Sequence, residues 1–585
     1  MDSSVEVFPL HQYTYIFALT MIFAFLDAWG IGANDVANSF ATSVSSRSLK
    51  LYQAMMLATV CEFLGAVLAG ARVTTTIKND ILDISQFDSN PFMLMITMST
   101  ALVGSSLWLT FATFMGMPVS TTHSIIGGVI GAGIASIGAD NVKWGWEGVA
   151  SVFATWGIAP GVAGGFAAVS FLITKYVVMR RGERAIYWGL ALVPIYFLIA
   201  GCVLTMVIVW KGAPALNLDD WTAAQTVGCI FGVGGGIFLI SLIFFVPYFY
   251  QLLVKNDWKL KGHHVFLGPF VLRRPDPGPS PTGETGITDY YKTLKMSKEL
   301  PTSSEDLENV SASDESLGDK QPSQEAVPTG QPLTGIAKIT HHVNEYLSLE
   351  KLEESKSKWW HPHHGARLAV YGILRGVRQD IHTAQLRGGK LGGDMAATHA
   401  RAEVFDNKVE HLYSFLQILT AATTSFAHGS NDVSNAVGPL SAVYAVWSTG
   451  TTGKKSDVPI WILAYCAAAL VIGLWTYGYH MMCQLGNRLT LHTPSRGFSV
   501  EFGGAITIAI ATQLGLPVST TQCITGAIVC VGLCNMDFKA INWRMVAWIY
   551  FGWFLTLPIA GLVAGIINGI IINAPNWSYL PPGSP

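Results

Sequence analysis

Apolar residues run through this chain in unbroken blocks instead of alternating with polar ones. Tyr13 to Trp29 and Leu190 to Val209 are two such blocks, and a run of ~20 apolar residues is what a helix needs to cross a ~30 Å hydrocarbon core. Hydropathy places helices near 13–31, 52–71, 92–115, 125–138, 148–178, 186–210 and 224–250, then near 411–430, 458–482, 501–515, 523–535 and 545–572. The segments at 125–138, 501–515 and 523–535 are short and adjoin a proline, the mark of discontinuous or re-entrant half-helices. The pattern predicts an all-α polytopic membrane protein with about twelve transmembrane helices.

Polar residues interrupt this pattern in one place. Residues 255–408 carry 20 of the 36 Lys and Arg and 20 of the 38 Asp and Glu, whereas charges near a bilayer centre cost ~2.5–3.5 kcal/mol each on insertion scales. The chain therefore divides into a first membrane block at 10–253, a cytoplasmic and largely disordered insert at 254–408, and a second membrane block at 409–573. Over all 585 residues, 50% are hydrophobic and only 13% charged, about half the usual charged share of a soluble protein. A secreted globule, a disordered chain and a nucleic-acid binder are excluded. The net charge of −2 points to no partner.

Cationic loops set the orientation. Arg47 and Lys50 follow the first helix, and Arg180, Arg181 and Arg184 follow the fifth. Placing both loops in the cytoplasm leaves the acidic N-terminus and Asp219-Asp220 outside. Lys78, Lys454 and Lys455 fall outside as well, against the rule. Seven crossings put the insert inside, and five more return the C-terminus outside, so both termini are expected to be extracellular. The sequon at Asn576 then lies on the outer side. Asp2 and Glu6 stand where a cleavable signal would carry basic residues. All eight cysteines lie in apolar stretches, without metal-site spacing. Pro275 to Pro281 and 297–332 read as a solvated linker or a regulatory segment open to phosphorylation. The histidines at 341–342 and 361–364 lack acidic or Cys partners, and metal binding there is not expected.

Two internal echoes carry the functional reading. Gly32-Ala33-Asn34-Asp35-Val36-Ala37-Asn38-Ser39 recurs as Gly429-Ser430-Asn431-Asp432-Val433-Ser434-Asn435-Ala436, and Pro118-Val119-Ser120-Thr121-Thr122-His123 recurs as Pro517-Val518-Ser519-Thr520-Thr521-Gln522. Each block holds one copy of both, in the same order. With the first helix running inward and the eighth outward, the copies form two inverted-topology repeats, an architecture of secondary transporters whose sites lie at the repeat interface.

In the first motif, Asn34 and Asn38 are four apart and Asp35 and Asn38 three apart, so on a helix they share a face. One anionic and two neutral oxygens, joined by backbone carbonyls freed near Gly32, suit a hard cation. The same groups can also cap helix ends or bond helix to helix. In the second motif, proline favours the first turn of a new helix. Ser-Thr-Thr then sits where free N–H groups and the positive dipole end attract an anion. Two facing copies offer six hydroxyls to one oxyanion. The alternative is that these hydroxyls bond back to the preceding turn. Glu62 and Glu501 are lone intramembrane acids, open to a coupling or relay role or to ion pairing, Arg496 being near Glu501 in sequence.

These motifs, with Phe25-Leu26-Asp27, Cys61 to Ala66 and Asn542 to Trp548, resemble the PiT family of inorganic phosphate transporters, and in particular its fungal, sodium-coupled plasma-membrane members. The resemblance covers both membrane blocks and stops at the insert. It implies a secondary active transporter, not an enzyme, that imports inorganic phosphate with Na+ by alternating access, as a multi-pass homodimer in the lipid bilayer of the plasma membrane. It implies phosphate held by Ser120, Thr121, Thr122, Ser519, Thr520 and Thr521, and sodium held by Asn34, Asp35, Asn38, Asn431, Asp432 and Asn435. Sodium enters as the coupling ion, with no other cofactor and no nucleic-acid partner. The commoner family pattern has His after both Ser-Thr-Thr runs; Gln522 replaces the second. Proton coupling, another oxyanion such as sulfate, and a phosphate sensor signalling through the insert remain the alternatives.

Overall fold

The structure, a computed structural model, describes residues 9–79, 81–146, 148–210, 218, 221–280, 285–292, 294–295, 346, 349–375, 381–386, 391, 393–452 and 458–574. Asp219-Asp220, Lys454-Lys455, the Asn576 sequon, the 297–332 stretch and His341-His342 lie outside the described residues. Those described are all-helical, with a single isolated bridge between Leu82 and Val142.

Two long helices form the centre: α1 (Thr14–Ser45) and, far along the chain, a helix at Ser414–Thr449. Around α1 come α2 (Leu51–Ala69), α3 (Ala71–Asn79), α4 (Pro91–Phe114) and the shorter α5 (Thr121–Ile137). Then follow α6 (Val149–Ile173), α7 (Ala185–Val209) and α8 (Ala223–Val254). Gly182, at φ +56, makes the turn between α6 and α7. The insert contributes α9 (Leu349–Ser357), α10 (Pro362–Arg375), α11 (Ile381–Leu386) and α12 (Met395–Ala400). The chain continues through α13 (Asn407–Leu412), α14 (Ser414–Thr449), α15 (Ile460–Gln484), α16 (Pro494–Leu514), α17 (Thr520–Leu533) and α18 (Trp543–Ile572). Among the described residues, eight stretches are long and apolar enough to cross a membrane, one of them joining α6 to α7; α5 and α17 are apolar but shorter.

Packing explains the order of the layers. α1 lies against α15, α14 and α4, while α14 lies against α2, α16 and α1. α5 is wedged between α4 and α18, and α17 between α16 and α6. Small residues at these crossings let backbones approach, as in membrane interiors generally. α8 packs on α7 and turns Phe231, Leu239, Ile240 and Ile243 outward, as a lipid-facing helix does.

Three expectations need correction. The segment read as 501–515 is a full-length helix from Pro494, so Glu501 lies two turns inside α16 and does not open it. Arg496 and Ser499, which end the apolar run in the sequence, are buried inside the protein, and Pro494 at the first helical position starts the helix. The first motif does not end a helix: α1 continues unbroken to Ser45 and α14 to Thr449. No carbonyls are freed at Gly32. Its lack of a side chain serves packing instead, since a Cβ there would lie 1.8 Å from the Leu470 carbonyl oxygen, as one on Gly429 would lie 2.4 Å from that of Glu62.

Part of the insert is bound to the membrane block. Gln385 of α11 is fully buried and donates to Met482 O (2.9 Å) and Leu485 O (3.2 Å) at the end of α15. Glu403 takes Lys175 at 2.8 Å and Arg180 at 3.0 Å. Burial acts to raise the Glu403 carboxyl, but these two cations prevail and hold it below the usual carboxylate range.

Candidate functional site

The starts of α5 and α17 meet the middles of α1 and α14 in one buried cluster. Each short helix begins with a capped first turn. Ser120 Oγ accepts the His123 N–H at 3.2 Å, and Ser519 Oγ accepts the Gln522 N–H at 3.3 Å. The two serines therefore act as N-caps, and the threonines behind them turn their hydroxyls toward the aspartates.

Thr121 donates to Asp35 at 2.7 Å and Thr520 to Asp432 at 2.9 Å. Cross-links then run both ways between the two copies. Asn38 donates to Thr521 (3.0 Å) and Thr520 (3.4 Å), while Asn435 donates to Thr121 (3.2 Å) and Thr122 (3.3 Å). Thr122 donates to Val518 O at 3.3 Å, and the Thr521 hydroxyl, 2.8 Å from Asp35 Oδ1 and 3.2 Å from Val119 O, donates to the nearer carboxylate. Each copy thus holds the other through its Asn, and Thr521 adds a cross-link to Asp35. All twelve residues singled out in the two motif pairs are brought together and buried.

Not all do the same work. Asn34 is engaged at both ends: its amide donates to Thr113 Oγ1 and Met117 O, and its oxygen accepts from Val119 N, all at 3.1 Å. It clamps the loop that carries Pro118. Asn431 donates to Val518 O at 3.0 Å and to Asp432, yet its oxygen, like those of Asn38 and Asn435, has no hydrogen-bond partner. Three buried amide oxygens without a donor, beside two carboxylates, form a hard, oxygen-rich set that fits a cation such as sodium. One oxygen atom each of Asp35 and Asp432, with a nitrogen of His428, lies within 4.8 Å of the others. At that spacing two carboxylate charges repel by roughly 3.5 kcal/mol at an effective dielectric of ~20. A cation between them removes that repulsion.

Glu62 joins this cluster through a residue the motif reading passed over. His428 Nδ1 lies 2.6 Å from Glu62 Oε2, and its Nε2 lies 3.2 Å from Asp432 Oδ2. Ser425 adds a bond to Glu62 at 2.8 Å. The signal was present: His428 precedes the second motif where Ile31 precedes the first. Glu501 stands apart. It accepts from Thr42 and Ser43 at 2.5 Å, Thr420 at 2.9 Å and Gln417 at 3.2 Å. Arg496 does not pair with it; its guanidinium bonds Glu403 O and Asn535 Oδ1 instead.

Known proteins are similar to this chain over most of its length. The phosphate transporter family (PHO4) matches residues 31–564. The phosphate-repressible phosphate permease pho-4 of Neurospora crassa is 46% identical, over 97% of this chain and 99% of that one. Sodium-dependent phosphate transporter 1-A of Danio rerio is 30% identical over 92% of this chain and 91% of its own, and sodium-dependent phosphate transporter 1 of Rattus norvegicus is 27% identical over 96% of each. A solved structure titled "The sodium-dependent phosphate transporter" overlays with a TM-score of 0.63 at 23% identity, covering 96% of this chain and all of that one. That overlay shows a shared fold.

Proposed function

The chain belongs to the phosphate transporter family, and from that premise we propose that it imports inorganic phosphate together with sodium by alternating access. It is a transporter, not an enzyme. The observation that carries the reading is the reciprocal set of bonds by which each Ser-Thr-Thr turn is held by the Asn of the opposite copy.

Phosphate sits between the first turns of α5 and α17, against Ser120, Thr121, Thr122, Ser519, Thr520 and Thr521, where helix N-termini favour an anion. Sodium, as co-transported substrate, sits among Asp35, Asp432, Asn38, Asn431 and Asn435; Asn34 belongs to the same set and also fixes the Pro118 loop. The order follows from charge. An anion entering beside two ionised aspartates is repelled, and sodium bound first offsets part of that negative charge. Coupling is this difference in affinity, and it acts in both directions. Glu62, through His428, and Glu501, through Thr42 and Ser43, are placed to take part in coupling.

The reciprocity also supports two inverted repeats, α1 to α6 and α14 to α18. Gly127 on α5 faces Leu557 O of α18 as Gly526 on α17 faces Pro160 O of α6, a Cβ being 2.4 Å away in each. With α7 and α8 added, this reading gives about twelve membrane helices, a cytoplasmic insert at 254–408 between blocks 10–253 and 409–573, and extracellular termini. The assembly is a homodimer in the lipid bilayer of the plasma membrane.

The test is uptake of labelled phosphate by the purified protein in proteoliposomes. Uptake should rise with an inward sodium gradient at fixed pH, and arsenate should compete where sulfate does not. Uptake indifferent to sodium would overturn the coupling assignment.

A further inference from the structure

Two acids on the membrane helices flank the central cluster, and they are treated differently. Glu62 has His428 and Ser425. Asp27 on α1 is fully buried, and neither carboxylate oxygen has a hydrogen-bond partner. It precedes Asp35 by eight residues, ~12 Å along the helix axis. α4 presents the Ser105 hydroxyl to it, and α15 presents Cys466. The ionisable groups of α14, His428 and Asp432, gather at Asp35 instead. The corresponding position on α14 is Thr424, which bonds Glu501 O at 3.0 Å.

An isolated carboxylate is costly in such surroundings, by several kcal/mol even after relaxation. Among the described residues, no Lys, Arg or His stands beside Asp27 to offset its charge. A hard metal cation takes about six oxygen ligands, and one carboxylate with a neighbouring hydroxyl falls well short. A proton needs only the carboxylate.

We infer that Asp27 is a proton-binding site, outside the phosphate and sodium cluster, whose occupancy is relayed to the first turns of α5. The relay is a line of hydroxyls. Ser105 Oγ donates to Ser124 Oγ at 3.0 Å, and Ser124 Oγ donates on to Ser105 O at 3.4 Å. Ser124 follows His123 directly after the Ser120-Thr121-Thr122 run. With Asp27 protonated, its O–H donates to Ser105 Oγ, and the Ser105 O–H donates to Ser124 on α5, whose own O–H turns back to the Ser105 carbonyl. When the proton leaves, the Ser105 O–H turns to the bare carboxylate and Ser124 loses its donor. A proton taken up at Asp27 thus alters the helix whose N-terminus holds the anion. It is a proton-linked step added to the sodium-coupled one, and only its uptake readout rests on the transport reading.

The experiment pairs infrared spectroscopy with uptake, on the full-length protein in lipid. Difference spectra across a pH titration, in sodium without phosphate, should show a carboxylic-acid C=O band that vanishes as pH rises, with one component missing in Asp27→Asn. At fixed sodium, the apparent phosphate affinity of the wild type should shift with pH by about fivefold more than that of the variant, a modest coupling factor. An unchanged spectrum in Asp27→Asn, or equal affinity shifts in the two proteins, overturns the inference. Should Asp27→Asn fail to reach the membrane, Ser105→Ala keeps the acid and removes its acceptor; it must move the band, and an unmoved band also overturns the site. Should the band behave as expected in a protein that moves no phosphate, the transport reading fails and the proton site stands.

Discussion

The two copies of the motif agree in their Asn–Thr bonds at the centre of the cluster and differ in the charged groups behind it. Thr121 and Thr520 bond their own aspartates, and Asn38 and Asn435 bond across to the opposite threonines, with near-equal lengths. Behind them the resemblance stops. Gly429 packs on Glu62, whose acid meets His428, whereas Gly32 packs on Leu470 beside Ile31. Asp27 has Thr424 as its counterpart, and His123 has Gln522. The Asn–Thr cross-links can be built twice over, because each half holds the other. Apart from the paired aspartates, titratable side chains such as Asp27 and His428 are built once, because a second buried charge repeats its desolvation cost.

The strongest way to break the comparison is to remove one aspartate at a time. Asp35 accepts from Thr121, Thr521 and Asn38, while Asp432 meets Thr520, Asn431 and His428. Asp35→Asn and Asp432→Asn should each lower sodium-driven phosphate uptake at least about a hundredfold, the equivalent of ~2.8 kcal/mol. Both variants at full activity would remove the site from this cluster. Loss in only one of them would show that a single copy holds the cation.

The next effect is on stability. Alanine at Gly32 brings a Cβ to 1.8 Å from a backbone oxygen, and alanine at Gly429 to 2.4 Å. Backbone cannot swing aside as a side chain can, so overpacking of ~1–3 kcal/mol is expected, larger at Gly32. Thermal unfolding in detergent, read by tryptophan fluorescence, should rank wild type above Gly429→Ala and that above Gly32→Ala. The reverse order would mean that α2 is held more rigidly against α14 than α15 is against α1.

Much of this was legible in the chain. Apolar blocks located the membrane helices, and the paired Asn-Asp and Ser-Thr-Thr strings located the cluster. What was missed follows from what hydropathy measures. α16 and α14 carry polar residues inside the protein, so their buried turns at Ser495–Val500 and Asn431–Asn435 looked like helix ends. Arg496 and Glu501 are near in sequence, yet five residues on a helix turn ~140°, which sends them to different neighbours. Gly32 answers to Leu470, and no local pattern announces a carbonyl brought in from so far along the chain. His428 and Asp27 could have been found, the first as a mismatch between copies and the second as a lone acid in an apolar run.

The smallest expected effect concerns the residue that follows each Ser-Thr-Thr run. His123 is buried 5.3 Å from the Trp156 ring, with both ring nitrogens unpartnered, and the Gln522 side-chain oxygen is unpartnered too. Neither side chain bonds an aspartate, an asparagine or a threonine of the cluster; each helix start is capped by its serine through the backbone N–H. Gln522→His would make the two copies alike without changing a bond that holds the site. Uptake at neutral pH should change by less than about fivefold, under ~1 kcal/mol. A loss of tenfold or more, measured as a fall in apparent phosphate affinity, would put the Gln522 amide on the anion itself. The inequality between His123 and Gln522 would then belong to recognition, and the ligand-facing layer of the two copies would no longer be equivalent.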